Sequence, residues 1–158
     1  MSAGRTYTIT FRQVGVTAAQ DLCAAYAGAN MALEVVSLTL FESNSVSAEL
    51  LEISVKRLTA TVTPGTVGNA FTPARDTPTD AAATFTARIN DTSVATTSGT
   101  TFFPHVDGWS LPNGSYQWIF PERARPSCGL SEALIFSLDR APSGSRTISG
   151  QMKVRELF

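Results

Sequence analysis

The sequence predicts an all-β fold, a single-domain jelly-roll-like β-sandwich of about eight strands with one short helix. Three observations support this prediction. Apolar and polar residues alternate with a period of two in most apolar segments, which is typical of half-buried strands. Turn-forming residues separate these segments, and there are about as many segments as a jelly roll has strands. The length of 158 residues suits one domain, 1–158, with a substantial core.

The first strand and the helix are predicted near the N-terminus. Arg5–Val14 places Tyr7, Ile9 and Phe11 on one face and polar residues on the other. The Ala-rich segment Ala18–Ala27 is the helix candidate, because a threonine precedes it and a glycine follows it.

Seven more strands are predicted along the chain. Leu33–Phe41 is apolar and β-branched enough for a central strand, and Leu50–Leu58 alternates Leu51, Ile53 and Val55 with polar residues. The other five segments are Ala83–Ile89, Gly99–Phe103, Ser115–Phe120, Ala133–Leu138 and Arg146–Val154, the last with Ile148, Met152 and Val154 facing inward. Together these segments complete the sandwich.

The segment Phe102–Phe120 contains the only histidine of the chain and both of its tryptophans. Its Asn113-Gly114 dipeptide is typical of a tight turn between two strands, so the segment is predicted to be a packed hairpin. In the second strand, Tyr116, Trp118 and Phe120 share one face. That aromatic face is interpreted as core.

Catalysis is disfavoured in this segment. His105 and Asp107 with Ser110 contain the residue types of a hydrolase triad, but side chains two apart on a strand rarely meet as a triad requires. The chain lacks a nucleophile elbow, a zinc-protease motif and a phosphate-binding glycine loop. The sequence therefore predicts a protein that is not an enzyme and has no catalytic residues.

Trp109 lies in the sequence Asp-Gly-Trp-Ser-Leu-Pro, which has the composition of a loop. Two interpretations stay open for it. The ring is either part of the core or an exposed anchor for a partner protein or a sugar. Trp109 is therefore a candidate interface residue.

A second candidate interface is Thr63–Ala82, which contains three prolines and almost no apolar periodicity. A connection of this length without structure of its own is unusual in a compact domain. It is either a solvated loop or an arm that docks on a neighbouring chain. In the second case Phe71 is the apolar anchor, and Arg75, Asp76 and Asp80 fix the position of the arm.

Composition disfavours several kinds of partner and cofactor. A net charge of −1 gives no overall attraction to nucleic acid or to an anionic membrane. No apolar run approaches the ~20 residues of a membrane-spanning helix, and we expect no signal peptide. Cys23 and Cys128 are far apart in sequence and are expected to be thiols rather than a zinc or redox site. No metal or other cofactor is predicted.

Four stretches carry a resemblance to a known group of proteins: RTYTITFRQVGVTAAQDL, AELLEISVKR, DAAATFTARINDTSVATTSGTT and GSYQWIFPE. In these stretches the chain resembles small all-β virion proteins of tailed bacteriophages, of the head decoration or cement type. The resemblance implies synthesis in the cytoplasm of the host bacterium, self-association as a homotrimer and binding to the major capsid protein or other virion proteins at the capsid surface. It transfers no functional residues. The alternative is a sandwich attached to the tail or a spike that binds carbohydrate or a host receptor.

Overall fold

The computed structural model of the protein describes residues 4–43, 48–111 and 114–158. In chain order the strands are β1 (Thr6–Val16), β2 (Gln20–Tyr26), β3 (Ala32–Glu42), β4 (Glu49–Leu58), β5 (Val62–Thr63), β6 (Asn69–Phe71), β7 (Ala74–Arg75), β8 (Thr86–Asp91), β9 (Thr96–Thr97), β10 (Thr101–Leu111), β11 (Tyr116–Ile119), β12 (Ser127–Cys128), β13 (Ala133–Leu138) and β14 (Arg146–Leu157). One turn of 3-10 helix, Glu122–Ala124, accompanies them. Across the described ranges, no helix is long and apolar enough to cross a membrane.

The strands form two large antiparallel sheets and one small one. Sheet A has the order β11-β3-β14-β1-β7, and β12 also pairs with β3. Sheet B has the order β10-β4-β13-β2-β8-β6, and β5 pairs with β9 in the small sheet. The predicted all-β sandwich is confirmed.

The core lies between the inner faces of sheets A and B. The residues predicted to face inward on β1, β4 and β14 are almost completely buried there: Tyr7, Ile9, Phe11, Leu51, Ile53, Val55, Ile148, Met152 and Val154. Full burial of a large apolar side chain stabilises the fold by roughly 1.5–3 kcal/mol. These alternating strands therefore supply much of the stability that holds the two sheets together.

The predicted helix at Ala18–Ala27 is wrong, because Gln20–Tyr26 forms strand β2. This strand lies inside sheet B, between β13 and β8. Six of its seven residues are buried, so both of its faces are covered. A strand covered on both faces shows no alternation of polar and apolar residues, and small residues such as alanine fit its crowded surroundings. Tertiary packing thus overrides the helix propensity of the segment.

Residues 59–100, here called the insertion, connect β4 to β10. Part of the insertion lies on the outer face of sheet B, where Val62 and Ala95 pack on a small apolar cluster. The cluster consists of Ala24, Leu58, Ala133 and Ile135. The insertion also supplies β8 and β6, which widen sheet B, and β7, which pairs with β1 in sheet A.

The prediction that Thr63–Ala82 has no structure of its own is therefore wrong. Strands of two or three residues are too short to show a period in the sequence, which is why the pattern missed them. Buried carboxylates fix the insertion at three backbone N–H groups: Gly68 donates to Asp91 (2.9 Å), Thr84 to Glu156 (2.6 Å) and Ala95 to Asp21 (2.8 Å). The segment is ordered against its own chain.

Candidate functional site

The segment predicted as a hairpin consists of two strands that belong to different sheets. Strand β10 is an edge of sheet B and pairs with β4, whereas β11 is an edge of sheet A and pairs with β3. The hairpin prediction is wrong, and Asn113 of its turn lies outside the described residues. The side of the sandwich where β10 and β11 face each other is called the open edge below.

Side chains rather than backbone groups connect the two strands at the open edge. His105 Nε2 on β10 lies 2.8 Å from the hydroxyl of Tyr116 on β11. That hydroxyl donates a hydrogen bond of 3.0 Å to Asp107 Oδ2, so His105 Nε2 is the donor to Tyr116. Asp107 Oδ1 accepts the N–H of Gly108 at 2.8 Å, which occupies a backbone donor of the edge strand. The His105–Tyr116–Asp107 cluster joins sheet A to sheet B.

Burial determines the protonation of this cluster. Desolvation lowers the pKa of His105 from 6.5, and the charge of Asp107 opposes that shift. Desolvation raises the pKa of Tyr116 above 10, and the hydrogen bond to Asp107 raises it further. At neutral pH the imidazole is therefore uncharged and the phenol keeps its proton. Ser110 has the opposite parity on β10 from His105 and Asp107, so it lies on the other face of the strand and the three do not form a triad.

A pH dependence of stability follows from the His105 environment. The unfolded chain binds a proton at His105 at a higher pH than the folded chain does, because the folded-state pKa is lowered. We expect the free energy of unfolding to fall as the pH drops below 6.5 toward the folded-state pKa, and to be unaffected by this group at higher pH. Urea unfolding of the wild type and of His105→Gln at pH 7.5 and 5.8 measures this change in the free energy of unfolding. An identical pH dependence in the two proteins would contradict the expectation.

Aromatic rings surround the imidazole. The His105 ring centroid lies 5.3 Å from that of Trp118 and 5.0 Å from that of Phe120. Phe120 is buried and Tyr116 is half-buried, but 43% of Trp118 is exposed. Of the three residues on the face predicted to be core, Phe120 lies in the core, Tyr116 packs at its margin and Trp118 lies at the surface. Trp118 leaves part of its ring accessible beside the cluster.

Trp109 is a core residue and not an exposed anchor. Only 2% of its surface is accessible, and it belongs to the main apolar cluster. Its indole N–H donates a hydrogen bond of 3.1 Å to the carbonyl of Gly114. The neighbouring Asp107 and Gly108 suggested a loop in the sequence, yet both lie within β10. Of the two interpretations of Trp109, the structure selects the core.

Large apolar side chains are exposed along β10 and β11. This aromatic edge patch consists of Phe102, Phe103 and Trp118. Ile119, the next residue of β11, has the opposite parity and lies on the outer face of sheet A. The Arg57 guanidinium lies over the Phe102 ring at 4.6 Å, so a cation covers one of these rings. Phe103 is 54% exposed and Phe102 is 45% exposed. The sequence pattern missed the patch because its residues belong to two different sheets.

The arm residues Phe71 and Arg75 line one groove of about 330 Å³, together with Phe85 and several alanines. Phe71 is half-buried and packs against the main core. Arg75 is exposed on β7 and forms no ion pair with any described residue. The structure thus brings together two of the five predicted interface residues.

The other two arm residues make contacts within their own chain. Asp76 accepts the Thr8 hydroxyl at 2.8 Å and forms an ion pair of 2.9 Å with Lys153. The backbone N–H of Asp80 donates to the Thr77 carbonyl at 3.0 Å. Asp76 therefore helps to fix β7 on sheet A.

Titratable groups elsewhere do not assemble into a metal site in the described part of the chain. No group of three or more His, Cys, Asp or Glu side chains there is placed to hold a metal ion. Cys23 and Cys128 are both free thiols and both buried. Burial raises the pKa of Cys128 to about 12, so its thiol is protonated at neutral pH.

Comparisons of the chain with protein-family models, curated proteins and solved structures found no match.

Proposed function

We propose that the chain is a non-enzymatic structural protein of a tailed-phage virion, a decoration or cement protein that binds the outer surface of the head shell. The observation that carries the proposal is the aromatic edge patch. Large apolar side chains exposed on neighbouring edge strands often mark an interaction site on a protein surface. The resemblance in the sequence supports a virion component, and the patch supplies a surface for it to bind with.

We further propose that the sandwich is a jelly roll. Of the eight principal strands, β1, β14, β3 and β11 lie side by side in sheet A, and β2, β13, β4 and β10 lie side by side in sheet B. Numbered one to eight along the chain, their orders are 1-8-3-6 and 2-7-4-5. This arrangement supports two interlocked Greek keys, an architecture that viral capsid domains use.

The proposed partners are other copies of the chain, as a homotrimer, and the major capsid protein or other virion proteins. A net charge of −1 suits docking on a protein shell, where buried area contributes more than electrostatic attraction. Neither nucleic acid nor a membrane is a proposed partner. The protein is made in the cytoplasm of the host bacterium and ends on the capsid surface.

A second candidate is a sandwich of the tail or a spike that binds carbohydrate or a host receptor. Jelly rolls also occur in lectins, and the exposed ring of Trp118 offers a stacking surface. Trp109 and Tyr116 do not offer such a surface. Trp109 is buried, and the hydroxyl of Tyr116 is bonded to His105 and Asp107.

The aromatic edge patch gives the proposal a direct test. We expect the double variant Phe103→Ser/Trp118→Ser to fold but to bind heads lacking the protein at least about tenfold more weakly, because the apolar contact area is lost. Cosedimentation of purified heads with the variant measures binding. The matched control is Val67→Ser/Val94→Ser, which removes exposed apolar side chains from the insertion. Equal binding by wild type and both variants would contradict the assignment of the patch.

A further inference from the structure

The two ends of sheet A carry complementary features. At one end, the chain passes from β6 in sheet B to β7 in sheet A and forms the groove of about 330 Å³. Its walls are apolar, with contributions from Phe71, Pro73 and Phe85. The Arg75 side chain lines the same groove, and no described carboxylate lies within ion-pair distance of its guanidinium. The groove therefore suits an apolar side chain that is followed by a carboxylate.

The other end of sheet A presents such a pair. Ile119 on β11 is 66% exposed, and Glu122 begins the 3-10 helix three residues later. The Glu122 side chain is 65% exposed, and its carboxylate lies 3.6 Å from Arg155. Arg155 is already bound to Glu34 at 2.7 Å. Glu122 is therefore weakly held and accessible to a second cation.

We infer that Ile119 of one copy inserts into the groove of the next copy, where Glu122 forms an ion pair with Arg75. This inference rests on the self-association in the proposed function and names the surfaces that carry it. Because β7 and β11 are opposite edges of one sheet, a single chain cannot make this contact with itself. The contact is head-to-tail. Contacts of this kind close into a ring when the rotation between successive copies divides a full turn, as it does in a homotrimer.

Another exposed apolar and acidic pair lies on β4, where Leu50 and Glu52 line a smaller groove of about 230 Å³. Arg140 lines that groove as well, so a cation of the same chain shares the groove with Glu52. Glu122 lines neither of these grooves, and the arginine with which it forms an ion pair, at 3.6 Å, is held at the shorter distance of 2.7 Å by Glu34. Charge complementarity with Arg75 therefore favours Ile119 and Glu122.

A charge exchange tests the contact. We expect Arg75→Glu and Glu122→Arg to raise the dissociation constant of self-association at least about tenfold each, because each places like charges opposite one another. The double variant restores the attraction with the positions of the two charges exchanged. We therefore expect its dissociation constant to return toward that of the wild type. Light scattering after size-exclusion chromatography, over a concentration series, measures the mass. Exposed charges elsewhere serve as controls in Arg12→Glu and Glu52→Arg.

Recovery in the double variant, with unchanged controls, supports the contact. A wild-type protein that is monomeric at all concentrations, single variants that keep the wild-type mass, or a double variant without recovery would each overturn it. Thermal unfolding of every variant identifies any loss that comes from misfolding, and Ile119→Asp then repeats the test on the apolar half of the contact. Binding to heads is measured separately, so failure of this contact and failure of the proposed function are distinguishable.

Discussion

Replacement of Trp109 by alanine is expected to lower the free energy of unfolding by about 3–5 kcal/mol, the usual cost of removing a large aromatic side chain from a core. Its ring lies in the main apolar cluster, and its indole N–H donates to the Gly114 carbonyl. The truncation therefore leaves a cavity and an unpaired carbonyl close to the open edge. Urea unfolding monitored by circular dichroism measures the change.

The other tryptophan is the matched control. Trp118 is 43% exposed, so we expect Trp118→Ala to cost much less stability, about 1 kcal/mol. The two variants thus separate a core tryptophan from a surface tryptophan. Equal losses of stability, or a nearly neutral Trp109→Ala, would contradict the structural assignment.

Replacement of Glu156 by alanine is expected to lower the free energy of unfolding by about 3 kcal/mol, because it removes a buried charged acceptor and the three hydrogen bonds that it receives. The Glu156 carboxylate is fully buried. It accepts hydrogen bonds from the Tyr7 hydroxyl and from both the backbone N–H and the hydroxyl of Thr84. The loss should release the insertion where it rejoins the sandwich. Chemical denaturation measures the stability, and limited proteolysis within residues 63–82 measures the release.

Glu52→Ala is the control for this change, since Glu52 is exposed on β4 and its carboxylate forms no ion pair with a described residue. Surface substitutions of that kind usually alter stability by less than about 0.5 kcal/mol. If Glu156→Ala were as mild as Glu52→Ala, the carboxylate would not hold the insertion.

The strands that the sequence predicts best are those with one face on the core and one in water. Strands β1, β4 and β14 alternate visibly, so their inward residues Tyr7, Leu51 and Ile148 could be identified in advance. Strand β2 could not be recognised in this way, because the insertion covers its outer face and removes the alternation. The error at Ala18–Ala27 is thus a consequence of tertiary structure.

The candidate site was predictable only in part. Phe71 and Arg75 are near each other in sequence, so their grouping was accessible from the pattern of the arm. The connection of His105 to Tyr116 depends on two strands that belong to different sheets, and an Asn-Gly turn between them favours a hairpin instead. The proposed contact between β7 of one copy and β11 of the next leaves no signal in a single sequence. It requires the strand order.

We propose, as the central claim, that the chain is part of the head shell of a tailed phage. Quantitative mass spectrometry of virions purified from the phage that encodes it, with heads and tails separated, tests this claim most directly. We expect the chain in the head fraction, at a fixed ratio to the major capsid protein and in the number that the symmetry of the shell allows. Absence of the chain from purified virions, or its presence in the tail fraction alone, would contradict the claim.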